Sequence, residues 1–308
     1  MSLETPEAVR EALARERYLA DRGLSTAVYL AATLEQPLLL EGEAGVGKTE
    51  VGKALAGATG ARLIRLQCHE GIDLHHALYD WDYPRQLLYL RASSPSSSVQ
   101  SQAPSPTPAD DPPDALYSER FLLRRPLLEA LLHDGPVVLL IDEIDRADDE
   151  FEAFLLEFLS DFQVSIPELG TLRAERRPLV VVTSNRTREL HDALKRRCLY
   201  HWIDYPSPER EAEIVHARLP GVPDAIAARV CAAVARLREE DLYKLPGVGE
   251  TISWAQALLA LDEGAPLDET LGVVLKVRED IDAVREKQVL RNLAGVTPAR
   301  PPGEGGSP

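Results

Sequence analysis

Apolar residues in this chain collect in short unbroken runs, separated by stretches with a helical period. Leu38, Leu39 and Leu40, entered from Pro37, form one run, and Val137, Val138, Leu139, Leu140 and Ile141 form a second. Leu179, Val180, Val181 and Val182 form a third, entered from Pro178 and leaving through Thr183 and Ser184. A parallel strand covered on both faces reads as such a run, whereas a strand with one wet face alternates. Between the runs, residues 49–58 read as a helix, and Phe151, Phe154, Leu155 and Phe158 recur at helical spacing, a stripe suited to a core. Gln163 to Ile166 and Thr171 to Arg173 flank the turn residues Pro167 and Gly170, which predicts a hairpin. Strands alternating with helices predict an α/β fold with a parallel sheet between helices.

The pattern changes after Tyr205. Ser207 and Pro208 make a cap-and-proline start, and helices are predicted over 209–218, 224–239 and 250–261. Residues 268–293 read as a last, charged amphipathic helix. These elements predict a small all-helical lid domain over 206–293, with a loose Pro/Gly tail at 294–308. Ahead of the α/β core (36–205), residues 1–35 read as a helical segment of two helices, with Ser25 offering a cap. The core is interrupted at 92–115 by a Ser/Pro stretch with almost no large apolar residue. Such a composition cannot bury enough surface to offset its ordering entropy, so a disordered insertion is expected. There is no internal repeat.

Candidate chemistry begins where the first run ends. Gly42, Glu43, Ala44, Gly45, Val46, Gly47, Lys48 and Thr49 fit G-x-x-x-x-G-K-[ST], with Glu50 next in the helix. Glycines at 42, 45 and 47 let the backbone turn so that consecutive N–H groups point at a phosphate, and the helix's positive end adds to that anion site. Lys48 is expected to reach the β- and γ-phosphates, and Thr49 to ligate Mg²⁺. The reading is a site for a nucleoside triphosphate. The second run ends in Asp142 and Glu143, at the end of a strand where ligands of parallel sheets sit. Asp142 is the candidate Mg²⁺ partner, through water, and Glu143 the candidate base for the attacking water. The third run leads to Asn185, an amide placed to hold the same water or the γ-phosphate.

Phosphate loop, apolar run with Asp and Glu, Asn after the next strand and a later arginine pair occur here in the order that AAA+ ATPases carry them. The segment from Leu140 through Asp142, Glu143, Asp145 and Arg146 to Ala147, the Phe-rich helix after it and Gln163–Ile166 resemble the MoxR branch. More narrowly, the strings at 65–71, 83–86, 183–190 and 245–251 resemble the accessory ATPases encoded with aerobic carbon monoxide dehydrogenase. The resemblance covers about residues 38–261, interrupted once. It implies a phosphate-loop AAA+ core with a helical lid, ATP and Mg²⁺ as cofactors, and a homo-oligomeric, hexameric ring. It places an arginine acting on a neighbour's nucleotide at Arg197, with Arg196 as companion or alternate; an always-charged guanidinium stabilises charge spreading over the transferred phosphoryl group. It further implies a partner with a von Willebrand factor A domain and a client metalloenzyme, molybdenum–copper carbon monoxide dehydrogenase or a related hydroxylase, remodelled during maturation. The branch also carries a lid arginine where this chain has Gly247, Val248, Gly249, Glu250 and Thr251. That role is unfilled or moved, for instance to Lys244.

Composition narrows the partners. A net charge of −16 argues against nucleic acid, since phosphate repulsion would have to be overcome locally. No apolar run approaches the roughly 20 residues that span a bilayer, so no stable membrane insertion is expected. The chain opens with acids instead of a basic, then apolar, leader, and its three cysteines, Cys68, Cys198 and Cys231, have no close pairing, which together suit the cytoplasm. Two readings from other classes stand beside the remodelling ATPase: a nucleotide-dependent scaffold with little turnover, and a nucleic-acid AAA+ motor. Cys68, His69, His75 and His76 are spaced so that two could share a transition metal. The plainer expectation is a polar segment whose histidines hydrogen-bond or face solvent; the resemblance implies that this region, through Trp81 to Gln86, faces a central pore and grips a client.

Overall fold

The structure, a computed structural model, describes residues 3–93, 116–261 and 265–291. Two helices open the chain, α1 (Pro6–Arg15) and α2 (Arg22–Leu34). Strand β1 (Leu38–Gly42) leads into α3 (Lys48–Thr59), then β2 (Arg62–Gln67), the single turn α4 (Leu74–Ala77), β3 (Tyr79–Trp81) and α5 (Tyr83–Ser93). After β4 (Leu122–Arg124) come α6 (Pro126–Leu131), β5 (Val137–Asp142), α7 (Asp149–Asp161) and β6 (Gln163–Ile166). Next are β7 (Gly170–Arg173), β8 (Leu179–Ser184), α8 (Asp192–Arg197) and β9 (Leu199–Ile203). From there the described residues form helices only: α9 (Pro208–Arg218), α10 (Asp224–Arg238), α11 (Val248–Ala260), α12 (Leu271–Val274) and α13 (Arg278–Glu286).

The main sheet has five strands in the order β2-β5-β8-β1-β9. β5 runs parallel to β2 on one side and β8 on the other, with Leu139 opposite Ile64 and Val180. Every residue of β5 is buried, as its unbroken apolar run requires. β2, at the sheet's edge, buries Ile64 and Leu66 and exposes Arg62, Arg65 and Gln67. Helices cover the sheet, and the α/β class holds. The predicted hairpin is the antiparallel ribbon β6-β7, and a second ribbon pairs β3 with β4.

The chain divides into two compact units. One takes in Ala27–Leu39 and Leu55–Tyr200; the other takes in the described parts of Ser2–Thr26, Leu40–Ala54 and His201–Pro308. The first is held by a core that includes Leu127, Leu128, Leu139, Ile141, Leu155 and Phe158. Each such side chain removed from water is worth about 1.5–3 kcal/mol. The Phe stripe of α7 joins this core through Phe151, Leu155 and Phe158. The second unit has its own core around Val230, Val234, Trp254, Leu258 and Leu271. There the indole N–H of Trp254 donates to the Thr270 hydroxyl at 2.7 Å, so burial leaves no donor unmet.

Three expectations change. Ser25 lies inside α2, and the helix start is closed instead by Asp21, whose Oδ1 accepts the Leu24 N–H at 2.6 Å. A carboxylate at a helix N-terminus gains from the dipole as well as the bond, which a serine hydroxyl does not. The single helix expected over 268–293 is instead α12 and α13 with an extended break at Leu275 and Val277. Leu271, Val274 and Leu275 are drawn into the second core, and Val284 of α13 enters the same core beyond the break, while buried Asp280 accepts the Tyr243 and Lys244 N–H groups. Trp81 is buried, edge-on to Tyr79 and Tyr117, so it is not free to grip a client; Tyr83 beyond it is exposed. Of the insertion expected over 92–115, residues 92 and 93 are the helical end of α5, since the helix runs on past its last large apolar residue; 94–115 and the tail from 294 lie outside the described residues.

Candidate functional site

The phosphate loop belongs to the second unit. β1 delivers the chain to Gly42, where a Cβ would sit 2.2 Å from the Ile203 carbonyl oxygen. Gly45, with φ +81°, meets Gly247 Cα to Cα so closely that a Cβ on it would be 2.7 Å away. No other residue type fits either place. The carbonyls of this loop are held from outside: Tyr205 donates its hydroxyl to Ala44 O at 3.2 Å, and Val248 N–H donates to Gly45 O at 2.9 Å. Val46 is buried, while Glu43, Ala44 and Gly45 are exposed. Gly47, also at positive φ, lies beside the half-buried Tyr18, whose hydroxyl pKa is pushed up by burial and then by Asp21 and Glu50.

Lys48 is only 5% exposed, and its ammonium donates to Gly42 O at 2.8 Å and Glu43 O at 2.7 Å. A buried cation curled into a loop without side-chain bulk is a cradle for an anion the size of a phosphate, so these residues fit a nucleotide tail. Lys48 and Thr49 open α3, with Glu50 in its first turn. The Glu50 carboxylate is engaged by Lys53 at 2.6 Å and Arg218 at 3.1 Å. Burial pushes its pKa up, but these two cations outweigh burial and hold it below the usual range.

The start of α11, where a lid arginine was sought, carries Glu250 in its first turn, whose carboxylate accepts the Gly247 N–H at 3.2 Å. Its residue Thr251 is buried and donates to Glu211 Oε1 at 2.6 Å. Glu211, fully buried, receives both guanidinium arms of Arg238 at 2.7 and 2.9 Å. Arg238 also donates to Pro246 O at 2.8 Å and lies 4.2 Å over the Tyr205 ring. Lys244 is exposed, with its backbone N–H on Asp280. Sequence reading missed Tyr205, Glu211, Arg238 and Gly247, because nothing local marks them.

The acids sit in the first unit, at the carboxyl end of β5. Asp142 is buried, its Oδ1 accepting the Thr183 hydroxyl at 2.5 Å and its Oδ2 accepting Arg65 at 2.5 and 3.1 Å. Arg65 was passed over in the sequence, although an arginine on an edge strand two residues before that strand's end is the visible signal. Glu143 has φ +56°, and its N–H donates to Thr183 Oγ1 at 2.9 Å. Its carboxylate is paired with Arg146 at 3.3 Å. A glutamate in the left-handed region costs roughly 1–2 kcal/mol, and such strain is characteristic of sites where aim matters.

Asn185 follows β8 directly, and Arg186 after it repeats the left-handed turn at φ +56°. Both turns open on one cavity of about 640 Å³, lined by Glu143, Asp145, Asn185 and Thr187 among others. Burial pushes the Asp145 carboxyl up, but bonds from Thr187 and Asn185 outweigh it and hold the pKa below the usual range. Cys68, buried behind the acids, has its thiol pushed up to about 12, chiefly by burial and then by Asp142, Asp145 and Glu143. Among the described residues no cluster of three or more His, Cys, Asp or Glu side chains is placed to hold a metal ion. His69, His75 and His76 are exposed.

From Asn185 the chain runs along α7 to α8. Arg188 donates to Ala147 O at 3.0 and 2.6 Å and pairs with buried Glu152, which also accepts the His191 N–H at 3.0 Å. At the end of α8, Arg196 and Arg197 are exposed, and Arg197 donates to Leu156 O at 2.6 Å. Thus Glu143 and Asn185 share a cavity, while the arginine pair stands on the surface of the same unit.

A sequence model of the AAA domain, dynein-related subfamily, matches residues 37–198, more than half of the chain. The chain belongs to the AAA domain family. The match begins just before β1 and ends just after α8, so it takes in the phosphate loop, Asp142, Glu143, Asn185, Arg196 and Arg197. The AAA domain is nucleotide-dependent, and the five-stranded parallel sheet with helices about it is the AAA+ architecture. No curated protein matches the chain. No described helix is long and apolar enough to cross a membrane.

Proposed function

We propose that this AAA+ protein hydrolyses ATP and is a MoxR-type ATPase that remodels a client metalloenzyme during maturation. The observation that carries the hydrolysis reading is the placing of Glu143 and Asn185 on one cavity. Lys48 and the loop 42–47 bind the phosphate tail; Thr49 and Asp142 are the groups assigned to Mg²⁺. That ion supplies charge neutralisation across the β- and γ-phosphate oxygens. Glu143 accepts the proton of the attacking water, and Asn185 holds that water in line. Release of Glu143 from Arg146 frees the carboxylate for this work. Arg197, with Arg196 as companion or alternate, is offered to a neighbouring copy, which makes the active form an oligomer, a hexameric ring.

The client and partner rest on the longer strings at 65–71, 83–86, 183–190 and 245–251. They support molybdenum–copper carbon monoxide dehydrogenase or a related molybdenum hydroxylase as client, and a von Willebrand factor A domain protein as bridge. We assign the ATPase core to 36–205 and the lid to 206–293. A second reading, a scaffold that binds nucleotide with little turnover, is favoured by one observation. Thr251 stands buried on Glu211 where the branch has a lid arginine.

The deciding experiment compares phosphate release and binding of a fluorescent ATP analogue in wild type, Glu143→Gln and Lys48→Ala. Glu143→Gln is expected to bind as wild type and to stall, while Lys48→Ala fails to bind. Normal turnover by Glu143→Gln removes the base assignment. Turnover that stays near zero in the wild type, even with the partner added, favours the scaffold.

A further inference from the structure

Asp145 lies three residues beyond the end of β5, in a 3-10 turn, and is 2% exposed. Its two carboxylate oxygens serve different donors from the segment after β8. Oδ1 accepts the Asn185 N–H at 3.1 Å; Oδ2 accepts the Thr187 N–H at 2.9 Å and the Thr187 hydroxyl at 2.7 Å. Thr183 makes a second tie, since its hydroxyl donates to Asp142 at 2.5 Å and accepts the Glu143 N–H at 2.9 Å. The turn carrying Glu143 and the turn carrying Asn185 are therefore joined on both sides. Each turn contains a left-handed non-glycine residue, Glu143 in one and Arg186 in the other. Neither conformation would persist without surroundings that fix it.

We infer that Asp145 is a positioning residue for hydrolysis, holding Asn185 in register with Glu143 both directly through the Asn185 N–H and through Thr187. The inference rests on the hydrolytic reading of these two residues. A buried carboxylate receiving three donors is worth keeping only if all three are aligned, because each unmet donor costs about 1–3 kcal/mol. Its pairing with backbone N–H groups fixes the path of the chain as well as a side chain. The aim of the Asn185 amide then follows from a residue that need not touch nucleotide or water. A misplacement of about 1 Å at a reacting geometry costs on the order of 100-fold in rate.

The test uses the full chain with four substitutions. Asp145→Asn keeps the shape but replaces one acceptor oxygen with a donor, so either Asn185 N–H or the Thr187 pair faces an N–H₂ group. Thr187→Val removes the hydroxyl, Thr187→Ser restores it, and Glu143→Gln reports on the base. Asp145→Asn is expected to lower kcat roughly 10- to 100-fold with KM within about twofold. Thr187→Val should follow in the same direction, and Thr187→Ser should recover most of the rate. Thermal unfolding is read alongside, since a purely structural role would lower Tm without separating kcat from KM or being rescued by serine. Wild-type kcat in Asp145→Asn overturns the inference whatever Glu143→Gln does. A slow Asp145→Asn beside a fully active Glu143→Gln removes the base assignment and leaves the positioning of Asn185 standing. Loss of kcat and KM together, unrecovered by serine, also overturns it.

Discussion

Gly247→Ala isolates the grip of the α11 N-terminus on the phosphate loop. Gly247 has φ −86° and ψ 176°, so alanine meets no backbone penalty there. The obstacle is space: its Cβ would lie 2.6 Å from Gly45 Cα and 2.9 Å from Gly45 O. Carbon atoms pack at about 3.5–4.0 Å, so the two backbones must part by roughly 1 Å. That stretches the Val248 N–H to Gly45 O bond, now 2.9 Å, past hydrogen-bonding distance. Overpacking of this kind costs about 1–3 kcal/mol. If the loop yields, that cost weakens ATP-analogue affinity by roughly 5- to 150-fold, at about 1.4 kcal/mol per tenfold. If α11 yields, Tm falls instead. Gly249→Ala is the control: it lies in the same helix with nothing within 4 Å of its added Cβ, and should be neutral or slightly stabilising. Titration with a fluorescent analogue and a thermal melt read both routes. A Gly247→Ala chain that binds and melts like Gly249→Ala refutes the reasoning.

The remaining expectations concern the surface arginine and the thiols. Arg197→Ala removes an exposed side chain, so the fold should survive while turnover falls by about 10³ or more. Mixing it with Glu143→Gln should restore part of the rate, because the second chain still offers its arginine; a mixture no faster than its components rules out action on a neighbour. Burial pushes Cys68, Cys198 and Cys231 each up to about 12. Alkylation at pH 8 should therefore be slow in the folded chain and fast in urea. Since the fold favours the neutral thiols, their contribution is intact below the ordinary thiol range and lost as pH rises from there toward 12. Rapid labelling of native protein would show that the thiols are not shielded.

Much of the nucleotide-binding half was legible because its chemistry is local. Eight consecutive residues specify the phosphate loop, and an apolar run ending in Asp142 and Glu143 specifies the strand that presents them. The starts of α9 and of the β6-β7 ribbon were readable for the same reason. What escaped was set by distant partners. Asp145 and Thr187 are separated by 42 residues, and no spacing rule links them. Glu211 and Arg238 likewise look like ordinary surface charges on two helices until the fold buries the glutamate. Ser25 was a sound cap candidate by type, yet Asp21 four residues earlier makes the better bond. The break between α12 and α13 goes with a distant partner, Asp280 of α13 accepting the Tyr243 and Lys244 N–H groups, which a count of charged and apolar positions along one helix does not reveal.

The left-handed backbone at Glu143 also limits how this position can drift. Among L-residues, asparagine and aspartate tolerate φ near +56° best, and glycine bears no penalty at all. A lineage released from turnover but still needing the fold would gain stability by exchanging the glutamate for one of these three. Descendants that retain glutamate there do so against the local conformational gradient. Their persistence would mark the trait still under selection, separately from any motif match.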